Sequence, residues 1–316
     1  VCPNRCHLAP NRTGQCGVRT NKGGAMALET WGRVATLEAA LSDALPLYHY
    51  HPEMKWLVVG QRGCVMRCPF CNTARYSQLG AAPQRAYAPE DLVAQATAHH
   101  CAGVSFGIND PVPAVEFVLA TLASARQSGM HTHLATAGYV EEAPLRDLCR
   151  VAGAMTIGLK GTEAASYDRV TGGELRAVMQ ATRVAAALGV HLELSYVLLP
   201  GQNDTAEDAA RLARWVLELE PAPPVLLLPF EPAYAWAHSA PCSAALLDAF
   251  QARLADHGVL AYTLHPDASH RDTRCCGCQR TIVRREGNHR PYVSLNADGT
   301  CPQCGTPAPF RAMQLR

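Results

Sequence analysis

The stretch "KWLVVGQRGCVMRCPFCNTARY", Lys55–Tyr76, joins a short apolar run to a loop crowded with thiols. "KWLVVG" is brief, rich in branched residues and closed by glycine, which marks a buried strand. Directly behind it, Cys64, Cys68 and Cys71 stand at C-x3-C-x2-C spacing. Structural zinc takes four ligands and a disulfide takes two. Three thiolates at this spacing suit three corners of a 4Fe-4S cube, with the fourth iron left open for a substrate or cofactor. No fourth cysteine follows nearby.

Downstream, the chain repeats the strand-then-helix pattern. Strand signals are "GVSFGI" (103–108), "HTHLATA" (131–137), "AMTIGLK" (154–160), "HLELSYVLL" (191–199), "PVLLLPF" (224–230) and "VLAYTL" (259–264). Helical periodicity fills the gaps, as in "EDLVAQATAHHC" with Pro89 at its start, "PAVEFVLATLASARQSG", "LRAVMQATRVAAALG" and "AEDAARLARWVLEL". Alternation of this kind implies a parallel α/β sheet with right-handed crossovers, here a partial or complete (β/α) barrel. Chemistry in such folds sits at the carboxyl ends of the strands, where the three-cysteine loop lies. The expected division is an amino-terminal cysteine-containing extension (1–50), a barrel core (51–264) and a cysteine-rich metal-binding module (265–316).

Composition agrees with a large core. The 316 residues are 48% hydrophobic and 17% charged, with 28 basic against 27 acidic side chains and a net charge of +1. That balance gives no electrostatic case for nucleic acid or an anionic membrane. No apolar run approaches the roughly 20 residues of a membrane span, and no signal-like segment opens the chain, so a cytoplasmic setting is expected. Eleven of the 14 cysteines fall into clusters at ligand spacing, with Cys101, Cys149 and Cys242 standing alone, which favours bound metal over disulfides.

Several segments in order, "CPNRCHLAPNRTGQCGVRTNKGG", the thiol loop, "VSFGINDPV", "ATAGYV", "GLK" and "LLPGQND", resemble the radical S-adenosylmethionine (SAM) superfamily. The similarity is to the branch with pyruvate formate-lyase activating enzyme and the AmmeMemoRadiSam-system radical SAM protein. The resemblance implies that Cys64, Cys68 and Cys71 hold the cluster, with Phe70 as the usual aromatic before the third cysteine. The open iron then chelates the methionine end of SAM, and one electron yields a 5′-deoxyadenosyl radical that abstracts hydrogen from substrate. It further implies that Asn109 and Asp110 receive the SAM amino group, that Thr136, Ala137 and Gly138 touch SAM, that Lys160 faces SAM or substrate, and that the Gly201–Asp204 loop with Asn203 sits beside the adenosine. Two positions depart from the branch: Gly158 stands where activating enzymes carry an aspartate, and Ala137 where they carry an asparagine.

The termini carry further ligand sets. Cys275-x2-Cys278 and Cys301-x2-Cys304, 22 residues apart, read first as a zinc ribbon, with Cys276 an extra thiol and an auxiliary iron–sulfur cluster the alternative. Cys2, Cys6 and Cys16 number three again and suit either an auxiliary cluster, with Cys276 as a borrowed ligand, or a zinc site with His7. Sulfur donation from such a cluster is one possible chemistry. The histidines at 49, 51, 99, 100, 131 and 133 lack zinc-protease spacing and read as core or surface residues. Glu231, Tyr234, Trp236 and His238 follow the sixth strand, where an active-site loop belongs. The resulting expectation is a radical SAM enzyme of oxidoreductase or sulfur-transferase type. It would act on a small molecule, with a nucleotide or a sugar among the candidates, and draw electrons from a flavodoxin or ferredoxin. The alternatives are a protein or peptide substrate, and a non-catalytic metal-binding adaptor.

Overall fold

The computed structural model describes residues 1–80, 82–264, 271–286 and 291–308. Parts of the expected carboxyl-terminal module, 265–270, 287–290 and 309–316, therefore lie outside the described residues. Near the amino terminus, β1 (Arg19–Lys22) and β2 (Ala25–Leu28) form an antiparallel hairpin around Gly23 and Gly24, both at positive φ. β3 (Arg33–Val34) and β4 (Thr36–Leu41) follow. The segments after them are β5 (Lys55–Gly60), α1 (Ala74–Ser77), β6 (Arg85–Ala86), α2 (Pro89–Ala98), β7 (Gly103–Phe106), α3 (Val115–Gln127), β8 (His131–Thr136) and α4 (Glu142–Val151). Then come β9 (Ala154–Leu159), α5 (Ala164–Thr171), α6 (Leu175–Ala187), β10 (His191–Leu198), α7 (Ala206–Leu217), β11 (Val225–Pro229), α8 (Ala244–Asp256) and β12 (Ala261–Thr263).

All seven expected strands enter one sheet, in the order β12-β11-β10-β9-β8-β7-β5, and every neighbouring pair among them is parallel. An eighth strand, β4, joins β5 antiparallel at the edge, with Thr36 opposite Gly60 and Leu41 opposite Lys55. Sequence reading missed β4 because "TLEAAL" has little β-branching and its alternation is weak. Among the described residues no pairing joins β12 to β4, so the barrel is partial.

β5 shows how side-chain alternation builds the core. Leu57 and Val59 point outward into the cluster formed with Leu92 and Ala96 of α2 and Val118 and Leu122 of α3. Trp56 and Val58 point inward, against Ala154, Leu47 and Met54. The segment from Leu45 to Met54 thus plugs the amino end of the barrel. At Gly103 a Cβ would come within 2.5 Å of the Trp56 ring, so only glycine lets the indole lie against β7. Helix ends follow their sequence signals: Thr205 and Asp208 cap α7 reciprocally, Ser243 caps α8, and Gly172 ends α5 in the left-handed region.

The carboxyl-terminal strands β13 (Thr273–Arg274), β14 (Thr281–Arg284) and β15 (Tyr292–Val293) form a separate antiparallel sheet. It is tied to the barrel plug. Arg285 donates to the Tyr48 carbonyl at 2.7 Å and lies over the Tyr48 ring at 4.3 Å, while Thr273 bonds His49 at 3.1 Å. His49 and Tyr48 in turn donate their backbone N–H groups, each at 2.8 Å, to the buried carboxylate of Glu193 on β10.

Candidate active site

The loop after β5 is held in place from several sides before any chemistry is considered. Asn109, behind β7, accepts from the Gln61 N–H at 2.8 Å and donates to the Gly63 carbonyl at 2.8 Å. Gln78 donates to Met66 O at 3.1 Å, and Asn4 donates to Val65 O at 2.8 Å. The backbone N–H groups of Ala235 and Trp236 both reach Pro69 O. These bonds fix the loop over the carboxyl ends of the strands, and Asn109 spends its amide group on that task.

Inside the loop a cavity of about 280 Å³ opens at the carboxyl end of the barrel. Cys64, Cys68, Phe70, Cys71, Asn109, Asp110, Thr136, Ala137, Gly158, Lys160 and Glu231 line it. The structure thus gathers most of the site residues expected from sequence. Gly138 and Asn203 are not among its lining. Gly138 turns the chain at φ +69°, where a Cβ would strike Ile157 at 2.8 Å. Asn203 is buried and accepts from Leu199 N–H at 2.7 Å while donating to the Lys160 and Val197 carbonyls, so it ties β9 to the turn after β10. Trp236 packs on Phe70 with ring centroids 5.6 Å apart, Tyr234 faces a neighbouring cavity, and His238 is exposed.

Residues that sequence reading passed over also line the cavity: Thr73, Ser77, Thr156 and Ser195. Thr156 and Ser195 alternate with Gly158 and Val197 on inward-facing strand positions, so the two-residue period of β9 and β10 could have found them. The Ser77 hydroxyl lies 3.1 Å from the Cys71 sulfur and the Thr73 hydroxyl 3.4 Å from it. A Cβ at Gly158 would sit 3.3 Å from Ser195 Oγ and 3.4 Å from Lys160 Nζ, so a larger residue there would crowd both polar groups.

Electrostatically, the cavity is built around Asp110. Its Oδ1 accepts from Thr136 Oγ1 at 3.0 Å and from the Val112 N–H at 3.1 Å, while its buried Oδ2 has no partner. Burial raises the pKa of its carboxyl against those hydrogen bonds and against Lys160. Burial also lifts the Cys64 thiol well above its usual range, with Asp110 adding to the effect, and lifts Cys68 to about 11 against the pull of Lys160. Lys160 itself donates to Gly158 O at 2.8 Å.

The donor set fits a cluster-bound cofactor. Among the described residues Cys64, Cys68 and Cys71 do not draw together to the spacing that one ion requires. Thiolates that each bind a different iron of a cube need that wider separation. The Asp110 Oδ2 offers an acceptor to an ammonium group, which would relieve the cost of a buried, unpaired oxygen. A different geometry holds at the carboxyl terminus. There the sulfurs of Cys275, Cys278, Cys301 and Cys304 all lie within 4.8 Å of one another, with Cys275 to Cys304 at 3.5 Å and Cys278 to Cys301 at 3.7 Å. Tetrahedral zinc with 2.3 Å bonds to sulfur sets ligands about 3.8 Å apart. These four thiols form a second metal site, and exposed Cys276 stands outside it. The thiol of Cys2 is raised first by burial and further by Cys16 and Cys6.

A match to the radical SAM superfamily spans residues 58–213, which include the thiol loop and strands β7 to β10. The chain belongs to the radical SAM superfamily. Among curated relatives of this radical SAM protein, an uncharacterised protein of Methanocaldococcus jannaschii is 27% identical over 311 residues, covering 96% of this chain and 92% of its own. Pyruvate formate-lyase 1-activating enzyme of Escherichia coli is 23% identical over 178 residues, covering 54% of this chain and 71% of its own. In fold, the chain is similar to a radical SAM methyltransferase from Sphaerobacter thermophilus, with a TM-score of 0.55 at 18% identity over 68% of this chain and 67% of that one. A 4Fe-4S cluster and S-adenosylmethionine are the cofactors this membership brings. No helix among the described residues is long and apolar enough to cross a membrane.

Proposed function

We propose that this radical SAM enzyme removes a hydrogen atom from a small polar molecule bound over the Lys160, Ser195 and Glu231 side of the cavity. The observation that carries the reading is the meeting of three cluster-spaced thiols with the unpartnered Asp110 Oδ2 in one cavity. When bound, the cluster and SAM supply reductive cleavage to a 5′-deoxyadenosyl radical. The chain's residues bind and orient. Cys64, Cys68 and Cys71 hold the cluster, Phe70 and Trp236 wall it, Asn109 fixes the loop, Thr136 aims Asp110 at the SAM ammonium, and Lys160 faces SAM or substrate. Gly138 and Asn203 act on the cofactor only through the turns they hold.

In this reading the barrel spans 51–264, with the segments 1–50 and 265–316 as cysteine-bearing flanks. Cys2, Cys6 and Cys16 carry an auxiliary iron–sulfur cluster, and the carboxyl-terminal four-thiol site carries zinc. The N-terminal thiols lie beside the catalytic loop: Asn4 is bonded to Val65 O, and a Cβ on Gly63 would come within 2.5 Å of Cys16 O. Donation of a sulfide from that cluster would make the enzyme a sulfur transferase rather than a simple oxidoreductase. A flavodoxin or ferredoxin in a reducing cytoplasm supplies the electron. A second reading, radical modification of a protein, rests on the similarity to pyruvate formate-lyase 1-activating enzyme.

The test is anaerobic reconstitution with iron and sulfide, followed by dithionite and SAM. Release of 5′-deoxyadenosine is expected, and its absence from a fully loaded protein defeats the reading. Iron analysis separates the clusters: about four irons per chain means the loop alone and about eight means an auxiliary cluster as well.

A further inference from the structure

Beside the thiol loop lies another cavity, of about 440 Å³, lined by Cys16, Arg62, Arg67, Tyr76, Gln78 and Tyr234 among others. No aspartate or glutamate is among its lining residues, whereas two guanidiniums are. A guanidinium stays charged in any protein setting, so two of them in one recess repel unless an anion comes between. Neither Arg62 nor Arg67 forms an ion pair with a carboxylate among the described residues. Arg62 goes further: its Nε is buried and has no hydrogen-bond partner. A buried donor left unpaired is costly, and ion pairs elsewhere on this chain show that carboxylates are available to other arginines, as for Arg19 with Glu116 and Arg211 with Asp208.

The recess is also built around those cations. The Arg62 Nη2 lies against Gly80, where a Cβ would approach within 2.5 Å and where the backbone sits at φ +60°. Arg67, an exposed residue of the recess lining, is fixed at its backbone by a 2.7 Å bond from its N–H to Thr171 O. Ser77 and Gln78 line this recess and the SAM cavity alike, so the two share a wall.

We infer that this recess is a binding site for a phosphate group, gripped by the forks of Arg62 and Arg67. Guanidiniums match a tetrahedral oxyanion with paired N–H donors, and no carboxylate lines the recess to repel it. The phosphate is either free or carried by a nucleotide. The inference does not depend on radical chemistry, because binding alone reads it.

Calorimetric titration of inorganic phosphate into the reconstituted, zinc-loaded protein, in chloride buffer of fixed ionic strength, tests it. One saturable site per chain is expected. Either R62Q or R67Q should weaken it about tenfold or more, R62K should recover part of the loss, and the double glutamine variant should show no binding. R176Q, at a different cavity, should titrate as the wild type. Iron and zinc contents matching the wild type show that each variant is folded. Absence of a saturable site, or unchanged affinity in R62Q and R67Q, overturns the proposal. Adenosine 5′-monophosphate titrated in parallel separates the sources. Affinity about tenfold above that of phosphate marks a nucleotide-borne group, and equal affinity marks a free oxyanion.

Discussion

Two sets of thiols on this chain use the same atom for opposite ends. Cys64, Cys68 and Cys71 sit on a single loop at the mouth of a barrel, spread too widely for one ion and one ligand short of a closed site. Cys275, Cys278, Cys301 and Cys304 come from two knuckles and close to sulfur–sulfur distances of 3.5 and 3.7 Å. On the proposed reading, the first set leaves a coordination position for chemistry, and the second uses every position to hold a fold together. Spacing in space, more than the number of cysteines, separates a reactive centre from a structural one.

The largest effect should come from breaking the first set alone. Replacing Cys64, Cys68 and Cys71 with alanine should abolish 5′-deoxyadenosine release, a fall of roughly a thousandfold or more to background, while one zinc per chain remains by metal analysis. Loss of the zinc along with the iron would erase the distinction between the two sites.

The converse experiment removes zinc. Cys278→Ala or Cys301→Ala should release the ion and leave residues 271–308 open to protease, because a small metal module draws about 10 kcal/mol or more of its folding free energy from the ion. Iron content of the loop should stay unchanged. Limited proteolysis followed by mass spectrometry reads the outcome.

A smaller effect sharpens what the open site asks of its neighbours. Asp110→Asn keeps the size and an acceptor oxygen but loses the charge facing a SAM ammonium. Loss of a charge-assisted hydrogen bond, about 1.5–3 kcal/mol, predicts a 10- to 100-fold weaker apparent affinity for SAM with iron content unaltered. Equal SAM affinity in the variant would remove Asp110 from the cofactor site.

A different effect concerns the buried imidazole of His133 on β8. His133 is fully buried, bonded to Ser105 at 2.8 Å and to Thr156 at 3.0 Å, and burial lowers its pKa to about 3. The unfolded chain takes up that proton near pH 6.5 while the folded chain refuses it. His133 therefore costs nothing above pH 6.5 and lowers stability as the pH falls toward 3, by at most about 1.4 kcal/mol per pH unit. His133→Gln should flatten the acid limb of a urea-midpoint profile by close to one proton; an unchanged slope would deny the shift.

Much of this was legible in the residues themselves. "KWLVVG" and the six later strands each declared themselves by apolar runs bounded by glycine or proline, since buried parallel strands need both faces apolar. The α5 segment Ala164–Thr171 and strand β4 did not, because one is short and the other sits at a sheet edge, where pattern is weak. The same limit held in the site. Asp110 could be named from its motif, but the Thr136 hydroxyl that joins the nearby Val112 N–H on its Oδ1 comes from β8, and only the fold brings it there.

Sequence alone determined the alternation of strands and helices, the C-x3-C-x2-C loop and the paired knuckles, because these are properties of neighbours along the chain. Only the tertiary structure decided that Asn203 bonds the Lys160 and Val197 carbonyls, that Cys276 stands apart from the four-thiol site, and that Arg62 and Arg67 share a recess without a carboxylate. Those outcomes depend on which groups, distant in sequence, are brought close enough to satisfy one another, and burial and hydrogen bonding set that only once the whole chain has packed.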